Sequence, residues 1–247
     1  MVMDFTWSEK TMITKTFFKL LAASVVFVAL QASATRAEEA ADKVAELKKL
    51  REKIATLHMV ATSITRSGSG TRELRIESWE KNAGGKQMFK RWVTAKTEPG
   101  TPKEQTAAPS LTIKDGVTAW RELDLGDKKL VFKGKSETRN EYFDIDPLLG
   151  NGVAKIGNGD KLLDQPCVLL EIREKANPED IIASYWISER YGVVLKSVVE
   201  SAGATITEMK VTEFKLDEEL PDSLFSYRPP ANAQVIDEKS RGAKKTD

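Results

Sequence analysis

The feature that most constrains this chain is a series of segments whose side chains alternate with period two. Thr71–Lys81 places Leu74 and Ile76 on one side and Arg75 and Glu77 on the other, and Lys86–Lys96 alternates around Met88, Lys90 and Trp92. Leu111–Lys114, Val117–Leu125, Lys129–Lys133, Leu162–Lys175, Ile181–Glu189, Val193–Ser201 and Thr205–Leu216 all have strand composition. Asp115-Gly116, Gly126-Asp127, Asn177-Pro178, Arg190-Tyr191-Gly192 and Ser201-Ala202-Gly203 separate them as turns. Strands this regularly spaced, without helices between them, predict a mainly β (α+β) chain with one large antiparallel sheet, and argue against parallel α/β. A long sheet with an apolar face has to curl, close or be covered.

Two segments are predicted to supply that cover. Glu38 to about Leu57 reads as a helix, because Val44, Leu47, Leu50, Ile54 and Leu57 recur at spacings of three and four and share one face. Its other faces are largely Lys and Glu, so one side is built for burial. The second is a short central helix suggested by Pro147-Leu148-Leu149, followed by Gly150–Gly159, whose glycines read as turns.

The first 37 residues have the layout of a cleavable secretory signal. Lys15 and Lys19 form a positive region, Leu20–Leu30 is an apolar run broken only by Ser24, and Ala32-Ser33-Ala34 or Thr35-Arg36-Ala37 offers the small-residue cleavage site. The apolar run is well short of the roughly 20 residues a spanning helix needs. Asp4 and Glu9 do not fit such a positive region, which points to Met12 as the initiating residue. Residues 38–237 form the body, about 210 residues with the tail and enough for one core. Residues 238–247 are a polar, Lys-rich tail expected to be disordered.

Composition and motifs exclude more than they assign. Lys plus Arg number 38 against 37 acidic residues, without the basic excess of a nucleic-acid binder. Cys167 is the only cysteine, so no internal disulfide or Cys-based metal site can form, and its apolar strand makes it a buried, inert thiol. His58 is the only histidine, and no nucleophile motif surrounds it, so a structural or surface role is expected in place of catalysis. Asp144 and Asp146 precede Pro147 as capping or turn residues and lack the glycine and distal Glu of a calcium loop. Gly157-Asn158-Gly159 lacks the Lys-Ser/Thr of a phosphate loop. Trp79, Trp92, Trp120 and Trp186 are expected in the core or lining an apolar pocket. No enzyme activity, cofactor or metal is expected.

From about Val44 to Ile236 the chain resembles the LolA-like periplasmic lipoprotein-carrier family. Phe89-Lys90-Arg91-Trp92 is similar to that family's Phe-Arg-Trp-type strand, and Asp115-Gly116 with Trp120 to its Asp-Gly-x-x-x-Trp turn and strand. Tyr185-Trp186-Ile187-Ser188 before Gly192–Lys196, and Leu224-Phe225-Ser226-Tyr227 with Pro229-Pro230 and Val235-Ile236, follow the family order. The family's Arg-Pro pair before the Phe-Arg-Trp strand is replaced here by Glu80–Lys86, so its functional Arg is not carried over, and the Thr97–Pro109 loop is long. The resemblance implies an incomplete antiparallel β-barrel lidded by helices around an apolar cavity. It implies a monomeric periplasmic carrier of lipid or lipoprotein acyl chains, working between an inner-membrane donor and an outer-membrane acceptor. A lipoprotein-sensing or regulatory module without transport is the alternative. By alternation, the candidate lipid-binding residues of one inner face are Leu74, Ile76, Met88, Trp92, Trp120, Val168, Leu170, Ile172, Trp186 and Leu195.

Overall fold

The computed structural model describes residues 39–68, 70–95, 108–136, 152–177, 179–201 and 205–238. The expected signal segment, Asp144, Asp146, the short central helix near Leu148, most of the Thr97–Pro109 loop and nearly all of the polar tail lie outside the described residues. Helix α1 spans 39–52. The strands are β1 (Thr56–Ser67), β2 (Gly70–Ala83), β3 (Lys86–Ala95), β4 (Ser110–Lys114), β5 (Thr118–Asp124), β6 (Lys129–Lys135), β7 (Gly152–Asn158), β8 (Cys167–Glu174), β9 (Ile181–Ser188), β10 (Val194–Ser201), β11 (Thr205–Leu216) and β12 (Ala233–Asp237).

All twelve form one sheet in the order β12-β6-β5-β4-β3-β2-β1-β11-β10-β9-β8-β7. Two meanders meet at its centre, where β1 pairs antiparallel with both β2 and β11. The β12–β6 pair is parallel, because the chain crosses the sheet to add β12 at the opposite edge from β7. The sheet is open, with β7 and β12 as its edges, so the barrel is incomplete as expected. Register shifts at Val60/Ala61, Val194/Lys196 and Ile172/Arg173 all fall among β1 and β8–β11. Such irregularities bend a strand and increase its twist, here in the half that wraps α1.

The helix buries the expected stripe. Ala40, Val44 and Leu47 are inaccessible or nearly so. Val44 and Leu47 meet Val168, Leu170, Ile172, Ala183, Ile187 and Val194 in one cluster, while Ile54 joins Leu57, Met59, Ala61, Leu195 and Val211 in a second. Two contacts fix the docking. Arg51 forms a buried ion pair with Glu80 of β2, both side chains under 5% exposed. At the β9–β10 turn Gly192 adopts φ +63°, and a Cβ there would stand 2.0 Å from the Leu47 carbonyl oxygen. Only glycine fits both the backbone conformation and the approach.

The C-terminal segment covers the other face. Asp217 turns at φ 56°, and Lys81 then donates to the Leu220 carbonyl and to Asp222, both at 2.7 Å. Phe225 is 1% exposed on a short 3-10 turn. Tyr227 packs its ring 5.5 Å from that of Trp120 and donates its hydroxyl to Glu122, which also accepts from Lys129 at 2.6 Å. Direct pairing places Trp120 opposite Ile113, and Glu122 opposite Leu111 and Val131, all on this far face. Ile113 and Val131 are buried there. The core therefore changes sides: it lies under α1 across β7–β11 and β1, and under the C-terminal segment across β4–β6.

Four sequence expectations are corrected. The helix stops at 52, and Leu57 belongs to β1. β1 itself has no clean alternation to read, because Leu57, Met59, Val60 and Ala61 are all buried where the two faces are both covered. Leu162–Lys175 is not one strand: Leu162 and Gln165 close a tight turn with Leu163 and Asp164 at φ 48° and 61°, and β8 starts at Cys167. Gly152–Asn158 is the edge strand β7, its two glycines lowering a strand signal that pairing with β8 overrides.

Gly192→Ala should lower stability by about 2 kcal/mol or more, read by urea denaturation, since it adds overpacking to a left-handed backbone. Burial, with the Glu122 hydrogen bond and charge, raises Tyr227 well above the ordinary 10.0, and Glu122 also raises Lys129 above 10.5. A raised folded value means this stabilisation is complete below about pH 10 and is lost as pH climbs beyond it. Tyr227→Phe should flatten the alkaline limb of a stability-against-pH curve.

Candidate functional site

The pairing register assigns each expected site residue to a face, because directly paired antiparallel residues point the same way. Leu74 pairs with Ser63 and Ala95, and Ile76 with Ala61 and Val93, all on the face that α1 covers. Val168, Leu170 and Ile172 are on the same face within the first helix cluster, and Leu195 is in the second. Met88 pairs with Lys81, Trp92 with Glu77 and Leu111, Trp120 with Ile113, and Trp186 with Leu169 and Lys196. These four occupy the far face, so the expectation of one shared inner face is corrected. Both parities of β3 carry large apolar groups, Met88 and Trp92 against Phe89 and Val93, and alternation alone does not choose between them.

The six helix-side residues do not all remain available. Val168, Leu170, Ile172 and Leu195 are buried in the core under α1. Leu74 and Ile76 are half-buried, and they continue into a row that the sequence reading missed. From Ala61 the row runs through Ile76, Val93, Ser110, Leu123 and Leu130 across β1–β6, with Leu74 and Ala95 beside it. Val93, Ala95, Leu123 and Leu130 are half-buried and belong to neither helix cluster. One row away on the same face stand Arg91 and Arg121, their guanidinium carbons 5.9 and 5.8 Å from the rings of Phe89 and Phe132. This is an apolar band on a hydrogen-bonded scaffold with cationic groups along one border. It offers non-directional contact to a flexible apolar group and a polar margin beside it.

The remaining singular residues have structural surroundings. His58 stacks on Trp79 with ring centroids 5.1 Å apart, and its Nε2 lies 3.0 Å from Glu77. Cys167 is buried, and burial pushes its thiol above the usual 9.0. Among the described residues no group of three His, Cys, Asp or Glu side chains could hold a metal ion.

Neither a protein-family model nor a curated protein matches this chain. Among solved structures it is similar to a DUF1329 family protein from Desulfovibrio piger, at 13% identity over 78% of this chain and 98% of that one, TM-score 0.41. It is similar to a LolA superfamily protein from Nitrosomonas europaea, at 11% identity over 76% and 97%, TM-score 0.36. It is also similar to the Pseudomonas aeruginosa MucA/MucB complex structure, at 14% identity over 81% of this chain and 63% of that one, TM-score 0.45.

The split between faces separates two tryptophans by role. Trp120→Ala should cost about 2 kcal/mol in a thermal or urea melt, because it strips the Tyr227 ring of its partner. Trp92→Ala, 46% exposed, should change stability by under about 0.5 kcal/mol.

Proposed function

We propose that this chain is an exported, monomeric periplasmic carrier that holds lipid, or the acyl chains of lipoproteins, against the helix-side face of β2–β6 for transfer towards the outer membrane. The observation that supports this reading is the half-buried band of Leu74, Val93, Ala95, Leu123 and Leu130, which continues the apolar face of the sheet from Ile76, at the margin of the second helix cluster. An acyl chain gains about 0.8 kcal/mol for each methylene withdrawn from water. Those contacts are weak one by one and carry no directional requirement, so a passenger held by them can be released without chemistry. Arg91 and Arg121 border the band where the polar end of such a passenger would lie. The leader-like first 37 residues and the family resemblance favour the periplasm.

A second reading, a sensing or regulatory module that binds a protein, is favoured by the open edges at β7 and β12. An edge strand is where an extended partner segment can add by backbone hydrogen bonding.

Native mass spectrometry of the mature protein from a periplasmic fraction should find a co-purified lipid or acylated peptide. A fluorescent fatty acid should bind saturably to the delipidated protein. Val93→Asp with Leu123→Asp should reduce that binding by at least about tenfold, since each places a charge in the band. A clean apo mass with no fatty-acid uptake would reject the carrier reading and leave the protein-binding one, which pulldown of a partner would then test.

A further inference from the structure

On the far face of β2 and β3, outside the proposed lipid band, Arg75, Glu77, Trp79, Lys90, Trp92 and Thr94 line a cavity of about 260 Å³. These six residues come from three consecutive cross-strand pairs, Arg75 with Thr94, Glu77 with Trp92 and Trp79 with Lys90. Both strands lie in the interior of the sheet, so the cavity is formed before any ligand arrives. One wall is held rigidly: His58 stacks on Trp79 at an interplanar angle of 3°, and the Lys90 ammonium sits 5.2 Å from the Trp79 ring centroid. The opposite element, Trp92, is 46% exposed, more than a large indole needs for folding alone.

The chemistry of the rim selects among ligands. An acyl chain would leave the charged and hydroxyl groups around Trp92 without partners, at a desolvation cost. The occupant must present an apolar face to indole and hydrogen-bonding groups, both donor and acceptor, around its edge. A pyranose ring has that form: axial C–H groups on its face and hydroxyls at its perimeter. The volume lies below the roughly 300–1,000 Å³ of drug-sized sites, which suits one ring of a longer chain. Charge narrows the class further. Glu77 is already engaged by His58 at 3.0 Å and by Arg75 at 3.3 Å, while no carboxylate pairs with Lys90 among the described residues. Two cations thus face one satisfied carboxylate, which favours an acidic sugar over an amino sugar.

We propose that this cavity is a glycan-binding subsite that stacks one carboxylate-bearing sugar ring on Trp92, with Arg75 holding its carboxylate and Lys90, Thr94 and Glu77 its hydroxyls. It is independent of the lipid reading, because it occupies the other face of the sheet.

The test titrates the mature protein with trigalacturonate and with maltotriose, followed by tryptophan fluorescence and by ligand-observed NMR. Trigalacturonate should bind saturably with a dissociation constant of about 1 mM or tighter. Trp92→Ala should weaken it at least about tenfold, and Trp92→Phe should retain most of the affinity. Arg75→Gln should abolish the preference over maltotriose. All three variants should keep the wild-type melting curve and fatty-acid uptake. Absence of saturable trigalacturonate binding, equal binding to maltotriose, or affinity unchanged in Trp92→Ala would each overturn the proposal. So would capture of an aromatic peptide in place of either sugar. If Trp92→Ala fails to fold, Trp92→Phe and Arg75→Gln decide it by the same readings.

Discussion

Among the described residues one α-helix faces a sheet of twelve strands and cannot cover it. Strands stack at about 4.8 Å, so a sheet of this size is on the order of 50 Å wide, while a helix with its side chains is about 10–12 Å across. Everything else in the structure answers that mismatch. The half containing β7–β11 twists through its register shifts and wraps α1. The other half receives the C-terminal segment on the opposite face, through Phe225, Tyr227 and the Lys81 contacts. β1 lies at the crossover, and its buried run of Leu57, Met59, Val60 and Ala61 marks where cover exists on both sides.

Helix docking is set by contacts that tolerate little substitution. Leu47 reaches the β9–β10 turn because Gly192 has no side chain, and that proximity brings the Val44–Leu47 stripe down onto β8 and β9. Arg51 and Glu80 then define how far the C-terminal end of α1 extends over β2. A buried pair of this kind contributes little net stability compared with apolar replacements, but losing one partner leaves an uncompensated charge. Its effect is to make alternative positions of the helix costly.

A core that changes sides leaves the sheet with two chemically distinct surfaces. Where the C-terminal segment buries the far face, the helix-side face of β2–β6 keeps a half-buried apolar band. Beyond the Lys81 end of β2 and β3, which the C-terminal segment holds, the far face keeps an aromatic and charged cavity between Arg75–Trp79 and Lys90–Thr94. Both surfaces share a backbone ladder, so they are rigid relative to each other, and alternate residues of the same strand present different chemistry to the two sides. Val93 and Trp92 are adjacent in sequence and belong to opposite surfaces.

The mainly β class, several turns, most strand limits and the stripe of α1 were legible in the residues alone, because period and turn chemistry are local properties of the chain. The sequence carried Phe225 and Tyr227 as part of a recognisable closing run. It could not identify β1, whose double-sided burial erases alternation, nor β7, whose glycines weaken strand preference until β8 supplies a partner. It could not assign Met88, Trp92, Trp120 and Trp186 to a face, since parity in a strand with apolar residues on both sides has no internal reference. That assignment comes from pairing register and from which element covers which face. Which apolar rows stay outside the helix clusters among the described residues is fixed by the same packing, not by any motif.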